Sequence, residues 1–290
     1  MKILVLGGTR YFGKHAVKYL IKNGHDVTIA TRGLTKDNFG DSIDRVIADR
    51  YDSNSLKSIF DKNRFDVVLD SLAYASNDVK LLLDVVNCHK YVMTSSAAVY
   101  DRHMDIKESS FDPLKKQLVW CGRADFAYDE VKRQAECALF QKYSHIKSAA
   151  VRFPYVLGRD DYTKRLLFYV EHIINGKPMC INDLNELNEQ IAFINSDEAG
   201  KFLSFICESE FCGVINGSGS QTISIAEIMD YIEKAVNKKA VFLDNGEPAP
   251  FNDEISHSIN TELAESIGFH FTPLKEWIFS LIDFYIQSLI

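Results

Sequence analysis

A glycine-rich turn lies near the start of the chain, in the segment LVLGGTRYFGKHAVKYL. Gly7, Gly8 and Gly13 stand between a run of apolar residues and a helical pattern. Backbone N–H groups at the start of a helix, with the positive end of the helix dipole, form a site for an anion such as a pyrophosphate. A strand before the glycines and a helix after them strengthen this interpretation. The segment therefore predicts a phosphate-binding turn between a first strand and a first helix.

The first half of the chain alternates short apolar runs with segments of helical length. The apolar runs span residues 3–6, 27–30, 46–47, 67–69, 91–93 and 149–153. Strands at these intervals indicate βαβ units with right-handed crossovers. The pattern predicts an α/β fold with a doubly wound parallel sheet of the Rossmann type.

After Gly158 this rhythm breaks, and the chain becomes polar over residues 182–190. Later segments predict helices at 197–208 and 225–236, strands at 213–216 and 240–243, and a final helix. We expect a dinucleotide-binding Rossmann domain formed by residues 1–155 and about 191–216. A smaller, discontinuous α/β C-terminal substrate domain is expected to comprise about 156–190 and 217–290.

The composition excludes several classes of protein. The 290 residues carry a formal net charge of −7, which argues against nucleic acid as a partner. No window approaches the roughly 20 apolar residues of a membrane span, and the N-terminus does not resemble a signal peptide, so we expect a cytoplasmic protein without membrane contact. The six cysteines form no C-x-x-C pair and lack histidines at metal-binding spacing, so no metal site is expected.

The residues around the glycine turn favour one form of dinucleotide. The second strand ends in Thr31 and Arg32, without the acidic residue that binds the ribose 2′-hydroxyl of NAD. Arg10 within the turn supplies a guanidinium, which suits a phosphate. We therefore expect NADP(H) to be favoured over NAD(H). Asp49, after a short strand, is expected to bind the adenine amino group.

A proton donor and its support are predicted at the fifth strand and the following helix. The run KYVMTSSAAVY ends a strand in hydroxyl groups, and YDEVK places Tyr128 and Lys132 four residues apart on one helix face. Redox chemistry at a carbonyl or alcohol needs a proton donor beside the oxygen, and Tyr128 can act as that acid/base. Lys132 would stabilise the phenolate, and Ser96 would hydrogen-bond the reacting oxygen.

The motifs together resemble the NAD-dependent epimerase/dehydratase family, the extended short-chain dehydrogenases/reductases, over nearly the whole chain. The resemblance is carried by the glycine loop, FDVVLD, TSSAAVY, YDEVK and VRFPYVLG. The variant GGTRYFG, with Arg10 in place of the family's middle glycine, is similar to an atypical branch that includes chloroplast stem-loop RNA-binding proteins. The resemblance implies hydride transfer with Ser96, Tyr128 and Lys132 as catalytic residues. It also implies a homodimer through the helix that carries Tyr128.

The cofactor residues implied by the resemblance and by the strand ends form one set. They are Gly7, Gly8, Thr9, Arg10, Tyr11, Phe12, Gly13, Thr31, Arg32, Asp49, Arg50, Ser71, Leu72, Ala73, Thr94, Lys132, Phe153, Pro154, Tyr155 and Val156. The residues expected to contact the substrate are Ser96, Ala97, Tyr155, Lys164 and Arg165.

Departures from the family pattern narrow the reaction. Tyr155 replaces an asparagine of the sugar-nucleotide enzymes, and no arginine follows Arg165, which disfavours a nucleotide-diphosphate sugar. Dehydratases carry an Asp-Glu pair where this chain has Ala97 and Ala98, which argues against dehydration. A reductase, dehydrogenase or epimerase that acts on a small molecule remains. The alternative is a non-catalytic protein on the same fold that senses the dinucleotide or binds RNA.

Overall fold

A seven-stranded, wholly parallel sheet forms the centre of the molecule. The computed structural model describes the backbone of residues 1–290 and every side chain except that of Lys62. The strands are β1 (Lys2–Leu6), β2 (Asp26–Thr31), β3 (Asp44–Ile47), β4 (Phe65–Asp70), β5 (Cys88–Ser96), β6 (Lys147–Phe153), β7 (Tyr155–Leu157), β8 (Pro178–Cys180), β9 (Phe193–Asn195), β10 (Gly213–Asn216), β11 (Val241–Phe242) and β12 (Glu247–Pro248). The helices are α1 (Tyr11–Lys22), α2 (Ser53–Lys62), α3 (Ser76–Leu83), α4 (Tyr128–Lys142), α5 (Arg165–Asn175), α6 (Ser196–Glu208), α7 (Ile225–Val236), α8 (Glu262–Ser266) and α9 (Leu274–Leu289).

The order of the central strands is β10-β6-β5-β4-β1-β2-β3, and every neighbouring pair runs parallel. The chain builds outward from β1 to β3, and then crosses back to β4 and continues in the other direction. This reversal opens a crevice at the carboxyl ends of β1 and β4. Apolar side chains of α1 and α6 cover one face of the sheet, and those of α2, α3 and α4 cover the other. The predicted doubly wound α/β fold is confirmed.

A second apolar core forms where α5, α7 and α9 pack together beside a three-stranded sheet of β11, β8 and β12. β7 pairs with β9 and connects this part of the molecule to the central sheet. β7, β8, β9 and β12 were not predicted from the sequence, because a strand of two or three residues shows no periodicity. None of the described helices is long and apolar enough to cross a membrane.

One segment that was assigned to the second domain packs on the central sheet instead. The Phe269 and Phe271 rings lie 4.7 and 4.9 Å from the Phe202 ring of α6, and Ala264 of α8 belongs to the same apolar cluster. Apolar burial against α6 accounts for this position. The domain division itself stays a prediction.

The outer side of α4 is covered by residues 113–121 of the same chain. The Gln134 amide accepts from the Val119 N–H at 2.7 Å and donates to the Gln117 carbonyl at 3.2 Å. The Gln141 amide donates to the Pro113 carbonyl at 2.6 Å. These side-chain to backbone bonds fix the segment along the helix.

A buried ion pair joins α4 to β6. The Glu136 and Arg152 side chains are both fully buried, with Arg152 Nη2 2.5 Å from Glu136 Oε2. Ser95 donates to Glu136 at 2.5 Å, and Arg152 donates to the Tyr100 hydroxyl at 2.7 Å. Such a pair is costly to break, because removing one partner leaves an uncompensated charge in the interior. The network fixes the chain on both sides of Ser96.

A histidine joins α1, α6 and the turn after β7. The His15 ring lies 3.1 Å from Asp160 and 3.0 Å from Asp197. Burial alone would lower the pKa of His15, but the hydrogen bonds and charges of Asp160 and Asp197 outweigh burial and raise it to about 9. The imidazolium therefore holds three segments together at neutral pH.

We expect Glu136→Gln to lower the free energy of unfolding by about 3 kcal/mol, since Arg152 would remain buried without its counter-charge. Urea denaturation of the variant and the wild type measures this difference. The matched control is Asp230→Asn, which removes the partner of Lys234 from an exposed pair and should cost at most about 1 kcal/mol. Equal losses in the two variants would contradict the assignment of a buried pair that is costly to break.

The His15 interaction predicts a pH dependence of stability. The folded-state pKa of about 9 lies above the ordinary value of 6.5, so the folded protein binds a proton that the unfolded chain has lost between these values. The stabilisation is complete below pH 6.5 and is lost as the pH rises through about 9. Urea titrations across this window should show a falling free energy of unfolding in the wild type. The fall should be shallower in His15→Gln, and parallel curves would contradict the prediction.

Candidate active site

A cavity of about 970 Å³ follows the carboxyl ends of the central strands. It begins at the turn between β1 and α1 and ends at the start of α5. The predicted site residues that line it are Gly7, Thr9, Arg10, Tyr11, Phe12, Gly13, Thr31, Arg32, Asp49, Arg50, Ser71, Leu72, Thr94, Ser96, Ala97, Tyr128, Lys132, Phe153, Pro154, Tyr155, Val156 and Arg165. One continuous space thus connects the glycine turn with the predicted catalytic residues.

The glycine turn has the geometry of a phosphate cradle. Gly7 adopts a positive φ of 90°, and a Cβ at Gly13 would lie 2.3 Å from the Gly7 carbonyl oxygen. α1 therefore begins directly against the turn, and its free N–H groups lie at the cavity wall. This space, which a side chain would fill, fits a dinucleotide pyrophosphate. Gly8, the third predicted glycine of the turn, is buried against Val17 and Ile29 and does not line the cavity.

Two arginines lie at the end of the cavity beside β2. Arg32 is exposed, and Arg10 donates to the Thr35 hydroxyl at 3.1 Å. Asp49 is also exposed, but one of its carboxylate oxygens accepts the Tyr51 N–H at 2.9 Å. The end of the cavity that the sequence assigns to the adenosine is therefore cationic.

Arg50, which is predicted to contact the cofactor, lines the cavity with its guanidinium already engaged by other groups. Its side chain is buried, with Nη1 2.7 Å from Asp70 Oδ2, and Nη2 donates to the Asp78 carbonyl at 3.1 Å. Tyr91 donates to the same Asp70 oxygen at 2.9 Å. Because Asp70 already neutralises Arg50, this guanidinium forms part of the cavity floor and is not free to bind a phosphate.

The Lys132 ammonium is fixed by two backbone carbonyls. It donates to Ala73 at 2.8 Å and to Thr94 at 3.0 Å, at the ends of two adjacent strands. An ammonium carries three N–H donors, so one remains without an acceptor among the described residues. Ala73 itself is fully buried outside the cavity lining, and it contributes its carbonyl in place of the predicted cofactor contact.

Tyr128 and Ser96 line the same cavity as this ammonium. Tyr128 is the first residue of α4 and is 49% exposed, and Lys132 Nζ lies 6.0 Å from the centre of its ring. The Ser96 hydroxyl accepts the Ala98 N–H at 3.1 Å, which leaves its own proton free to donate. The wall of this cavity therefore carries a phenol, a nearby cation and a hydroxyl donor.

Several residues of the cavity wall were missed by sequence analysis. Tyr74, Arg102, Arg123 and Tyr162 all line the cavity, and they come from loops that show no periodic pattern. Lys164 is the reverse case: it was predicted to contact substrate, but it is exposed outside the lining, in a left-handed conformation before α5. A loop residue's position depends on contacts with distant segments, which a local pattern does not report.

Tyr155 connects the cavity to the C-terminal part of the chain. Its hydroxyl donates to Glu254, while Arg102 and Arg165 lie 5.6 and 5.2 Å from the centre of its ring. Arg102 lies 3.5 Å from Glu254 and 3.0 Å from His257 Nε2. Burial, assisted by Arg102, lowers the pKa of His257 to about 4, so the neutral ring accepts from the guanidinium.

The family model of the NAD-dependent epimerase/dehydratase family matches residues 3–213. Among curated proteins, the chain is 25% identical to the chloroplast stem-loop binding protein of 41 kDa b of Arabidopsis thaliana, over 83% of this chain and 64% of that protein. It is 26% identical to the bifunctional UDP-glucose 4-epimerase and UDP-xylose 4-epimerase 1 of Pisum sativum, over 47% of this chain and 48% of that protein. The chain thus spans between about half and two thirds of the length of these relatives.

Solved structures share the fold. UDP-glucuronic acid 4-epimerase from Bacillus cereus, in complex with UDP-glucuronic acid and NAD, matches with a TM-score of 0.77 at 17% identity. The match covers 100% of both chains. At 17% identity this similarity supports the fold alone, for the central sheet and for the C-terminal part of the chain.

Proposed function

Because the chain belongs to the NAD-dependent epimerase/dehydratase family, we propose that it transfers a hydride at an alcohol or carbonyl carbon of a small molecule, with Tyr128 as acid/base. The observation that carries this proposal is the convergence of Ser96, Tyr128 and Lys132 on the cavity that begins at the glycine turn. A nicotinamide dinucleotide, when bound, supplies or accepts the hydride. The residues of this chain bind and orient the reactants and move the proton.

The proton step follows from the hydrogen bonds around Lys132. Two of its three donors are held by the Ala73 and Thr94 carbonyls, so the ammonium cannot move away from the site. Its remaining donor and its charge favour negative charge on the Tyr128 oxygen as the phenol gives up its proton to the substrate. The Ser96 hydroxyl donates to the same substrate oxygen and stabilises the charge that develops there.

The end of β5 lacks the acid and base of a dehydratase, and this narrows the proposed reaction type. Ala97 and Ala98 follow Ser96 where a dehydratase carries its acid and base, so we propose a reductase, a dehydrogenase or an epimerase. The non-catalytic alternative, a protein that senses the dinucleotide or binds RNA, is not favoured, because the three reactive side chains line one cavity. The net charge of −7 also disfavours RNA.

We propose NADP(H) as the preferred dinucleotide. Arg10 and Arg32 line the end of the cavity beside β2, and Thr31 occupies the position at which an acidic residue would bind the 2′-hydroxyl of NAD. The solved neighbour from Bacillus cereus holds NAD, so a preference for the phosphorylated form would distinguish this chain from it. A guanidinium can bind a 2′-phosphate through two parallel hydrogen bonds.

We also propose a homodimer in the region of α4, with residues 113–121 at the interface in place of the surface of the helix itself. Residues 113–121 cover the outer side of α4, so a partner that approaches this helix would contact that segment first. Trp120, which is 41% exposed, is the large apolar side chain at the end of the segment.

Arg32→Ala should weaken NADPH binding by about 10- to 100-fold, since a charge-assisted hydrogen bond contributes about 1.5 to 3 kcal/mol. NADH binding should not change, because NADH lacks the 2′-phosphate. Fluorescence titrations of both dinucleotides measure the two affinities, and Arg64→Ala, an exposed arginine outside the cavity, is the matched control. Equal wild-type affinity for NADH and NADPH, unaffected by Arg32→Ala, would overturn the proposed preference.

Tyr128→Phe should lower turnover by about 10² to 10⁴, since it removes the transferable proton. Dinucleotide affinity should be retained, because the ring remains. The assay uses carbonyl compounds with NADPH, and UDP-sugars with product analysis. Net oxidation of NADPH identifies a reductase, and sugar conversion without net oxidation identifies an epimerase.

The control for this substitution is Tyr231→Phe, a tyrosine of α7 outside the cavity. Turnover by Tyr128→Phe at the wild-type rate would contradict the proposed function. If neither the wild type nor Tyr128→Phe turns over any compound, and both proteins retain RNA in a salt-dependent manner, the non-catalytic alternative holds.

A further inference from the structure

The charge of the cavity wall is opposite to that of the whole protein. The chain carries a formal net charge of −7. The charged residues of the wall are Arg10, Arg32, Asp49, Arg50, Arg102, Arg123, Lys132 and Arg165. A cleft lined almost entirely by one sign of charge concentrates ligands of the opposite sign.

Most of these cations already have a partner or a proposed role. Asp70 neutralises Arg50, and Glu254 lies 3.5 Å from Arg102. Arg10 and Arg32 lie at the dinucleotide end of the cavity. Two guanidiniums remain at the other end, those of Arg123 and Arg165, and neither has a hydrogen bond or an ion pair with another described side chain.

Of these two, Arg123 is linked to the reacting residues through ring contacts that they share with Tyr74. Its guanidinium stacks on Tyr74, 3.9 Å from the centre of the ring. The Tyr128 ring packs edge-on against Tyr74 at 6.4 Å, and Lys132 Nζ lies 4.8 Å from the centre of the same Tyr74 ring. A group bound by Arg123 would therefore lie beside the atoms that Tyr128 protonates.

The position of Arg123 is fixed by the backbone that precedes it. Cys121 is buried against Ala75 and Val131, and its N–H donates to the Ser76 hydroxyl at 2.7 Å. The Asn77 N–H donates back to the Cys121 carbonyl at 3.1 Å. The segment is thus anchored between the starts of α3 and α4, two residues before Arg123.

A turn completes this support. The Gly122 N–H donates to the Asp125 carboxylate at 2.7 Å, and the Asp125 N–H donates to the Gly122 carbonyl at 3.3 Å. Arg123 lies between these two residues and directs its guanidinium over Tyr74. An anchored loop loses little freedom when the arginine takes up a ligand.

We propose that Arg123 is a specificity residue that binds a carboxylate or phosphate group on the reacting part of the substrate. The inference rests on the proposed function, since it places this group next to the oxygen that Tyr128 protonates. Tyr74 holds the guanidinium plane by stacking and leaves its N–H edge free for two parallel hydrogen bonds to the anion. The substrate is accordingly an acid or a phosphate ester with its alcohol or carbonyl group close to the charge.

Calorimetric titration of small probes tests this site directly. Malonate, inorganic phosphate and the uncharged malonamide are titrated into the wild type, Arg123→Gln, Arg123→Lys and the control Arg64→Gln, each with and without bound NADP⁺. We expect the wild type and the control to bind at least one anion, with malonate or phosphate identifying the chemical class. Arg123→Gln should bind that anion at least tenfold more weakly, Arg123→Lys should fall between, and malonamide should not bind measurably.

Anion affinity that is the same in Arg123→Gln and the wild type would overturn the inference, as would a wild type that binds neither anion or binds malonamide equally. Tyr128→Phe separates this result from the proposed function. It should retain the anion affinity of the wild type while losing turnover. Failure of NADP⁺ to bind would contradict the proposed function alone, because titration of the unloaded protein still measures the role of Arg123.

Discussion

Because all seven strands of the central sheet run parallel, their carboxyl ends meet at one edge of the sheet. This edge positions the side chains of the candidate site. β1 leads into the glycine turn, the loop after β4 and the strand β5 supply the carbonyls that hold Lys132, and β5 ends in Ser96. The reversal of strand order between β1 and β4 opens the space between them. The cavity is thus a product of topology, and the side chains that line it define its chemistry.

Two buried ion pairs stabilise the segments at this edge of the sheet. Arg50 and Asp70 join the ends of β3 and β4, while Arg152 and Glu136 join β6 to α4. A buried pair contributes little net stability compared with apolar residues, but it is costly to disrupt. We consider both pairs to fix the strand ends in position, so that the loops beyond them are presented in one arrangement.

Local patterns predicted the elements that depend on local physics. The glycine turn could be predicted because the backbone approaches Gly13 too closely for a side chain. Tyr128 and Lys132 could be placed on one helix face because they are four residues apart. Local patterns do not report contacts between distant segments: Arg50 is neutralised by an aspartate of another strand, and Arg123 is positioned by an anchor at Ser76. A nucleotide-diphosphate sugar was disfavoured on Tyr155 and on the lack of arginines after Arg165, whereas Arg102 and Arg123 reach the cavity from earlier loops.

We propose that one cavity holds a nicotinamide dinucleotide with its reactive ring beside Tyr128. A crystal structure of the protein grown with NADP⁺ is the decisive measurement. We expect electron density for the pyrophosphate against the turn from Gly7 to Gly13, for the 2′-phosphate beside Arg10 and Arg32, and for the nicotinamide ring adjacent to Lys132. Density for the dinucleotide in another part of the molecule, or a nicotinamide ring directed away from Tyr128, would contradict it.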